Sequence, residues 1–312
     1  MLFTFITYFL PVIQILFPLY YLYRLWAKNY KNKISWLIEA AVCIGFVIFF
    51  YFVGRWDIVG YMLRYILYSV YAFAGCLSFY RVKELPFYDK RSFSWSSIPD
   101  FVIILGLIAW VFTGFSHDKK ALNISFPLQG DSYCVVQGGA AYPLNYHGAF
   151  ANTQRYALDI TQLNKWGLRA SGIYPSNLSK YQVYGNTVYS PIAGEIVNVV
   201  DTLKDLSPPN RFPTQPTGNH IWIKKENIYL VLAHLKQSSV LVKEGDNVRV
   251  NEPVAKVGNS GNTSEPHLHI HAVRSNGSEI DHIYSLSKIG EAIPLHIQNN
   301  FLIRNNTINN TE

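Results

Sequence analysis

Three histidines stand at alternate positions in "SEPHLHIHAV": His267, His269 and His271. In an extended strand, side chains two apart share a face. The spacing therefore predicts imidazoles along one side of a strand. With nine histidines in 312 residues, three within five positions ask for a chemical reason. His234 closes "YLVLAHL", 33 residues before His267, while Asp159 lies in "QRYALDI" and His147 in "NYHGAF". Imidazoles and a carboxylate suit zinc, and a catalytic zinc site takes three protein ligands and keeps one position for water. A His-x-His pair fits two ligands, or one ligand and one general base, and spacing alone leaves both open.

The elements that must hold these groups read as β. "NTVYSPIAGEIVNVV" gives strand, turn, strand. "HIWIKKENIYLVLAHL" alternates as a hairpin that turns near Glu226–Asn227. "VLVKEGDNVRVNEPVAKVGNSG" supplies short strands between Gly-Asp and Asn-Glu-Pro turns, and "HLHIHAV" is the next strand. Many short strands predict an antiparallel β sandwich or open barrel. Two Pro/Gly/Ser-rich segments, 163–185 and 201–218, are long enough to wall a binding groove. Cys134 is the only cysteine after residue 76, so this part closes no disulfide within itself.

The first third is different. Apolar runs at about 2–23, 34–54, 58–80 and 98–115 are each near the roughly 20 residues that a helix needs to cross a bilayer. Four transmembrane helices are therefore predicted over residues 1–116. The first run lacks a basic start and a small-residue cleavage site, so it reads as a span rather than a removed leader. Arg64 is close enough to an end of its run to snorkel. Basic residues cluster in the first loop (Arg24, Lys28, Lys31, Lys33) and the third (Arg81, Lys83, Lys90, Arg91). The excess of positive charge predicts that these loops face the cytoplasm and that everything after Phe115 lies outside. The net charge of +7 partly reflects these anchors. No basic run occurs in the later part, which argues against nucleic acid as a partner.

The polar text also resembles a family. "VYSPIAGEIVNV", "GNHIWIKKENIYLVLAHL" and "VKEGDNVRVNEPVAKVGNSGNTSEPHLHIHAV" resemble consecutive blocks of the lysostaphin-type (LytM-type) zinc metallopeptidases, which cut peptide bonds in bacterial peptidoglycan. The resemblance spans roughly Gly130 to Val273. It implies an all-β peptidase domain with a Zn2+ ion, over about 129–284, after a linker at 117–128 and before a final strand and polar tail at 285–312. It makes His269 and Asp159 metal ligands, and His234 and His267 the catalytic pair. The family's first ligand is a histidine four residues before the aspartate. Here that residue is Arg155, whose guanidinium has no free lone pair. His147 is then the candidate substitute, with His117 a poorer one nearer the apolar region. His271 either supports the site or is a half-exposed strand histidine. His220 is expected to pack in its hairpin, and His282 and His296 show no partner. The implied function is a membrane-anchored zinc endopeptidase acting on peptidoglycan peptides. The alternative is a degenerate relative that binds cell wall or regulates another hydrolase, alone or with a protein partner.

Overall fold

The computed structural model describes every residue except 1, 92, 94, 131, 276–289 and 310–312. His282 and part of the predicted C-terminal segment lie outside the described residues. The chain divides into two compact units, Met1–Phe112 and Thr113–Glu312.

The first unit is helical. Its long elements are α1 (Leu2–Ala27), α2 (Lys33–Val53), α4 (Leu63–Val82) and α5 (Ile98–Phe112), with a short α3 (Trp56–Val59) between α2 and α4. Asn32 caps α2, its side chain accepting from Ser35 N at 2.9 Å. The run predicted as one helix over 58–80 is broken. Gly60 takes φ +111°, a conformation open to glycine and closed to most side chains, so the chain ends α3 there and restarts at Leu63. Among the described residues, three stretches are long and apolar enough to cross a membrane: Tyr8–Ala27, Lys33–Val53 and Trp95–Phe112. α4 has the length, at 20 residues, but its arginines, serines and tyrosines make it less apolar. Arg64 does not snorkel. It is 3% exposed, with its guanidinium 3.7 Å from the ring centre of Tyr61 and 4.7 Å from those of Tyr51 and Tyr65. Buried Glu39 on α2 receives Arg24 at 2.9 Å and is bonded by Lys28 and Ser97. Asp100 takes Arg24 at 2.6 Å. These pairs neutralise the charges that the helices bury.

The second unit is antiparallel β, apart from one parallel pair between β1 (Leu122–Ile124) and β12 (Leu295–Ile297). Its main sheet is built on β2 (Ser132–Gln137), β3 (Leu158–Leu163), β5 (Gly194–Val200), β6 (Asn219–Lys225), β7 (Ile228–Leu235) and β10 (Leu268–Ser275). Their order across the sheet is β2-β3-β10-β7-β6-β5. β10 therefore lies between β3 and β7, which carry Asp159 and His234. Register pairs His269 with Asp159 on one side and with Ala233 on the other.

Alternation along β10 splits its faces. Leu268, Ile270 and Ala272 enter the main apolar core with Leu230, Leu232, Ile221 and Ile160. His269 and His271 point to the opposite face, where Val273 packs with Trp222, Tyr229 and Val231. His271 stands opposite Val231 on β7 and is 3% exposed rather than a half-exposed strand residue.

Candidate metal centre

The centre is organised around one carboxylate oxygen. Asp159 Oδ1 lies 2.9 Å from His269 Nδ1, 3.4 Å from His147 Nε2 and 3.4 Å from His267 Nε2. His234 approaches from β7, its ring centre 4.9 Å from that of His267 and 5.6 Å from that of His269. Asp159 Oδ2 accepts from Gln137 Nε2 at 2.9 Å, which fixes the carboxylate plane.

Each imidazole is aimed by a bond from its far nitrogen. His147 Nδ1 donates to Asn145 Oδ1 at 2.9 Å, and the two N–H bonds of the buried Asn145 amide are shared among the carbonyls of Gly139, Arg155 and Ala157. His267 Nδ1 donates to Glu265 O at 2.8 Å, and His234 Nδ1 to Ser260 O at 2.9 Å. All three thus present Nε2 to the centre. His269 is reversed: Nδ1 faces Asp159 and Nε2 lies 2.9 Å from His271 Nδ1.

The local backbone explains these directions. His234 leaves the ladder of β7 with φ +61°, its N–H on Thr217 O at 3.0 Å and its carbonyl taking Gly258 N at 3.0 Å. Such a backbone persists only where its surroundings hold it. The turn "VGNSG" supplies them. A side chain at Gly218 (φ +59°) would lie 2.2 Å from Ser260 O, the atom that receives His234. Only glycine permits that approach. The first long loop is tied just beyond that turn by Arg169, buried and bonded to Glu265 at 2.6 Å, and the second is tied to the turn itself by Leu206 and Phe212 on Asn259 and Gly261.

Arg155 takes no part. Its Nε donates to Ala140 O at 2.9 Å and its guanidinium sits over Tyr156. Helix α6 (His147–Phe150) lies against the backbone of Arg155, where a side chain at Gly148 would come within 3.3 Å of its Cα. The short helix therefore delivers His147 next to the position where a histidine at 155 would have acted. His117 and His296 face each other instead, Nε2 to Nε2 at 2.9 Å, and neither belongs to the groups that could hold a metal. His220 is buried between Gly218 O and Asn198 Oδ1.

Burial sets the titration of several of these rings. Burial lowers His147 to about 4, against the pull of Asp159. Burial also holds His234 and His271 well below the usual imidazole value. For His267 burial is outweighed by Asp159 and the value rises. Asp159 would be raised by burial, but the imidazoles of His147 and His267 hold it well below the usual carboxylate range.

Among the described residues, two overlapping sets of donors could hold an ion: His147, Asp159 and His269, or His234, His267 and His269, each within 4.8 Å. A tetrahedral ion with bonds of about 2.0–2.1 Å sets its donors about 3.3 Å apart. The separations of 3.4 and 2.9 Å within the first set fit that edge. This set mixes nitrogen with a carboxylate, as divalent sites do, and leaves the Nε2 atoms of His234 and His267 beside it. Asn145, Gln137 and the Ser260 and Glu265 carbonyls had no signal in the sequence, because nothing in their spacing marks them.

His271 has a defined part in this arrangement. If His269 Nδ1 binds an ion, its proton is on Nε2 and is donated to His271 Nδ1. Outer partners of this kind typically contribute about 10–100-fold to metal affinity. His271→Ala should weaken zinc binding by about that factor, with His271→Gln retaining part of it. Competition against a zinc chromophore measures it, and unchanged affinity in the alanine variant would remove the role.

Residues 180–282 match the model of Peptidase family M23. The matched range contains His234, His267 and His269 but begins after His147 and Asp159. No curated protein matches. Among solved structures, a putative peptidase M23 from Pseudomonas aeruginosa is 14% identical, covering 55% of this chain and 53% of that one, at a TM-score of 0.27. The catalytic domain of lysostaphin from Staphylococcus simulans is 20% identical, covering 38% of this chain and 84% of that one, at 0.23. A SpoIIIAH and SpoIIQ complex chain is 14% identical, covering 55% and 96%, at 0.33. The chain thus spans about half the length of the Pseudomonas protein.

Proposed function

We propose that this chain, which carries a domain of peptidase family M23 at residues 180–282, is a membrane-anchored zinc endopeptidase that hydrolyses peptide bonds of bacterial peptidoglycan. The observation that carries the reading is the convergence of His147, Asp159 and His269 beside a second pair, His234 and His267. We assign residues 129–284 to the peptidase domain. Three apolar stretches long enough to cross a bilayer support the anchor; with the 20-residue α4 as a fourth crossing, the basic first and third loops would both face the cytoplasm and the peptidase domain would lie outside it.

His147, Asp159 and His269 would hold the ion, which supplies Lewis acidity toward a water and the scissile carbonyl. His234 and His267 handle the proton. Their Nδ1–H groups are committed to backbone carbonyls, so a neutral ring offers a bare Nε2 as acceptor. Once one ring has taken the water's proton, the same Nε2–H donates to the developing oxyanion and then to the leaving amine. Neither ring needs to turn between the steps. The loops tied to the turn at 258–262 form the walls along which the peptide would lie.

Arg155 motivates the alternative of a degenerate, wall-binding or regulatory domain. The test is incubation of the full chain, in detergent with zinc, with purified peptidoglycan. New amino termini should appear, vanish with a zinc chelator and return with added zinc. Zinc bound one per chain with no bond cut in peptidoglycan from several wall types would overturn the enzyme and favour the alternative.

A further inference from the structure

Outside the histidine centre, a second polar recess lies in the helical unit, where α1 runs out and α4 ends. It has a volume of about 110 Å³ and is lined by Lys28, Asn29, Tyr30, Ser78 and Arg81 among others. A single water needs only about 10–15 Å³ of such space, so the recess has room for a group of several heavy atoms such as a phosphate. Its chemistry is one-sided. Tyr30 Oη is buried and has no hydrogen-bond partner among the described residues. Ser78 Oγ accepts from Trp36 Nε1 at 2.9 Å, which leaves its own O–H to donate. Arg81 commits Nη1 to Trp26 O at 2.7 Å and leaves its other N–H groups open. Lys28 is held by Glu39 and Ser97, so the uncompensated charge is that of Arg81. No carboxylate lines the recess. A pocket of unused donors with a net positive charge takes an anion that accepts several hydrogen bonds.

Its place in the chain names the source. Lys28, Asn29 and Tyr30 follow the candidate span Tyr8–Ala27 and precede Lys33–Val53, so they stand where a helix leaves the hydrocarbon. Lys31, Lys33 and Lys83 surround them in sequence. Basic pockets between helices at that depth meet the phosphates of anionic lipids. We propose that this recess binds the phosphate of an anionic lipid headgroup, with Tyr30, Ser78 and Arg81 as its donors. The proposal rests on the membrane reading of the helical unit.

Tyr30→Phe separates a ligand-binding hydroxyl from an idle one. Removing a buried hydroxyl that has no partner leaves the fold intact or firmer. The full chain would be reconstituted in nanodiscs of phosphatidylcholine with or without phosphatidylglycerol, then released for native mass spectrometry. Wild type should retain phosphatidylglycerol over phosphatidylcholine, and its thermal midpoint should rise with that lipid. Tyr30→Phe and Arg81→Gln should each lower retention at least about fivefold, with the midpoint of Tyr30→Phe in phosphatidylcholine unchanged or higher. Equal retention of both lipids, or retention untouched in Tyr30→Phe, overturns the site. A midpoint raised by inorganic phosphate but not by the lipid overturns the lipid as ligand. Carbonate extraction keeps the two readings apart. A chain released by carbonate overturns the membrane reading and this proposal together, whereas an embedded chain without lipid preference overturns only the proposal.

Discussion

His147→Ala should empty the metal centre. The variant removes one of three donors, and an outer partner alone is typically worth about 10–100-fold in affinity, so loss of a direct ligand should exceed about 100-fold. Zinc per chain after dialysis, read by elemental analysis, should fall from one to near zero. Arg155→Ala is the matched control. Its guanidinium is bonded to Ala140 O and stacked on Tyr156, so zinc content should not change. The competing geometry is specific. His267 Nε2 is as near to Asp159 Oδ1 as His147 Nε2 is, at 3.4 Å, and His234, His267 and His269 form a donor set of their own. If the ion uses that set, His147→Ala keeps its zinc while His234→Ala loses it. That result would sink the assignment of His147 and remove the proton-handling pair from the proposed mechanism.

The β unit could be read from the sequence because its signals are local. The alternation in "HLHIHAV" and "YLVLAHL" and the glycine turn before the histidines depend on neighbours in the chain. Strand order does not, and strand order is what sets His234, His269 and Asp159 side by side. His271 shows the limit. It is 3% exposed and stands opposite Val231 on β7 with its Nδ1 on His269, pairings between strands that a period of two cannot reveal. Asn145 is similar: it is held by carbonyls 6 to 12 residues away on both sides of it, in turns whose approach the residue types do not announce. In the helical unit, apolar length marked the runs, but Gly60 read like any glycine among apolar residues. Its positive φ, and the break there, depend on the packing around it. Arg64 read as a residue that could reach the interface. Tyr61 and Tyr65 come from its own segment, but Tyr51 comes from α2, and together they hold the guanidinium inside.

Acid should begin to unfold the metal-free β unit before its carboxylates titrate. His147, His234, His271 and His220 all have folded values below the ordinary 6.5, because burial penalises the charged ring. The unfolded chain then binds protons that the folded chain refuses, so stability falls as pH drops below about 6.5. For His147 the loss continues down to about 4. That interval of about 2.5 units, at 1.36 kcal/mol each, is about 3 kcal/mol from one side chain. His267 works in the opposite sense: its value is raised, so its contribution is fully present at low pH and is lost as pH rises through the folded value. Asp159 is depressed, so its contribution holds above the usual carboxylate range and fails only at pH values well below it. Across pH 6.5 to 4 the four lowered groups therefore lose stability together, while the contribution of His267 is already complete and stays constant. A domain typically holds only about 5–15 kcal/mol, so much of it should be spent in that window. Circular dichroism and tryptophan emission of the chelated full chain should show a cooperative loss of β signal between pH 6 and 4. Saturating zinc adds about 4 kcal/mol at a thousandfold excess over Kd, and should move the midpoint to lower pH. His147→Gln has no ring to protonate there, so its acid limb should be shallower in the metal-free state and unmoved by zinc. A chelated chain that is as stable at pH 4 as at pH 7 would mean that these rings already carry protons in the fold, and so could not offer their lone pairs to an ion.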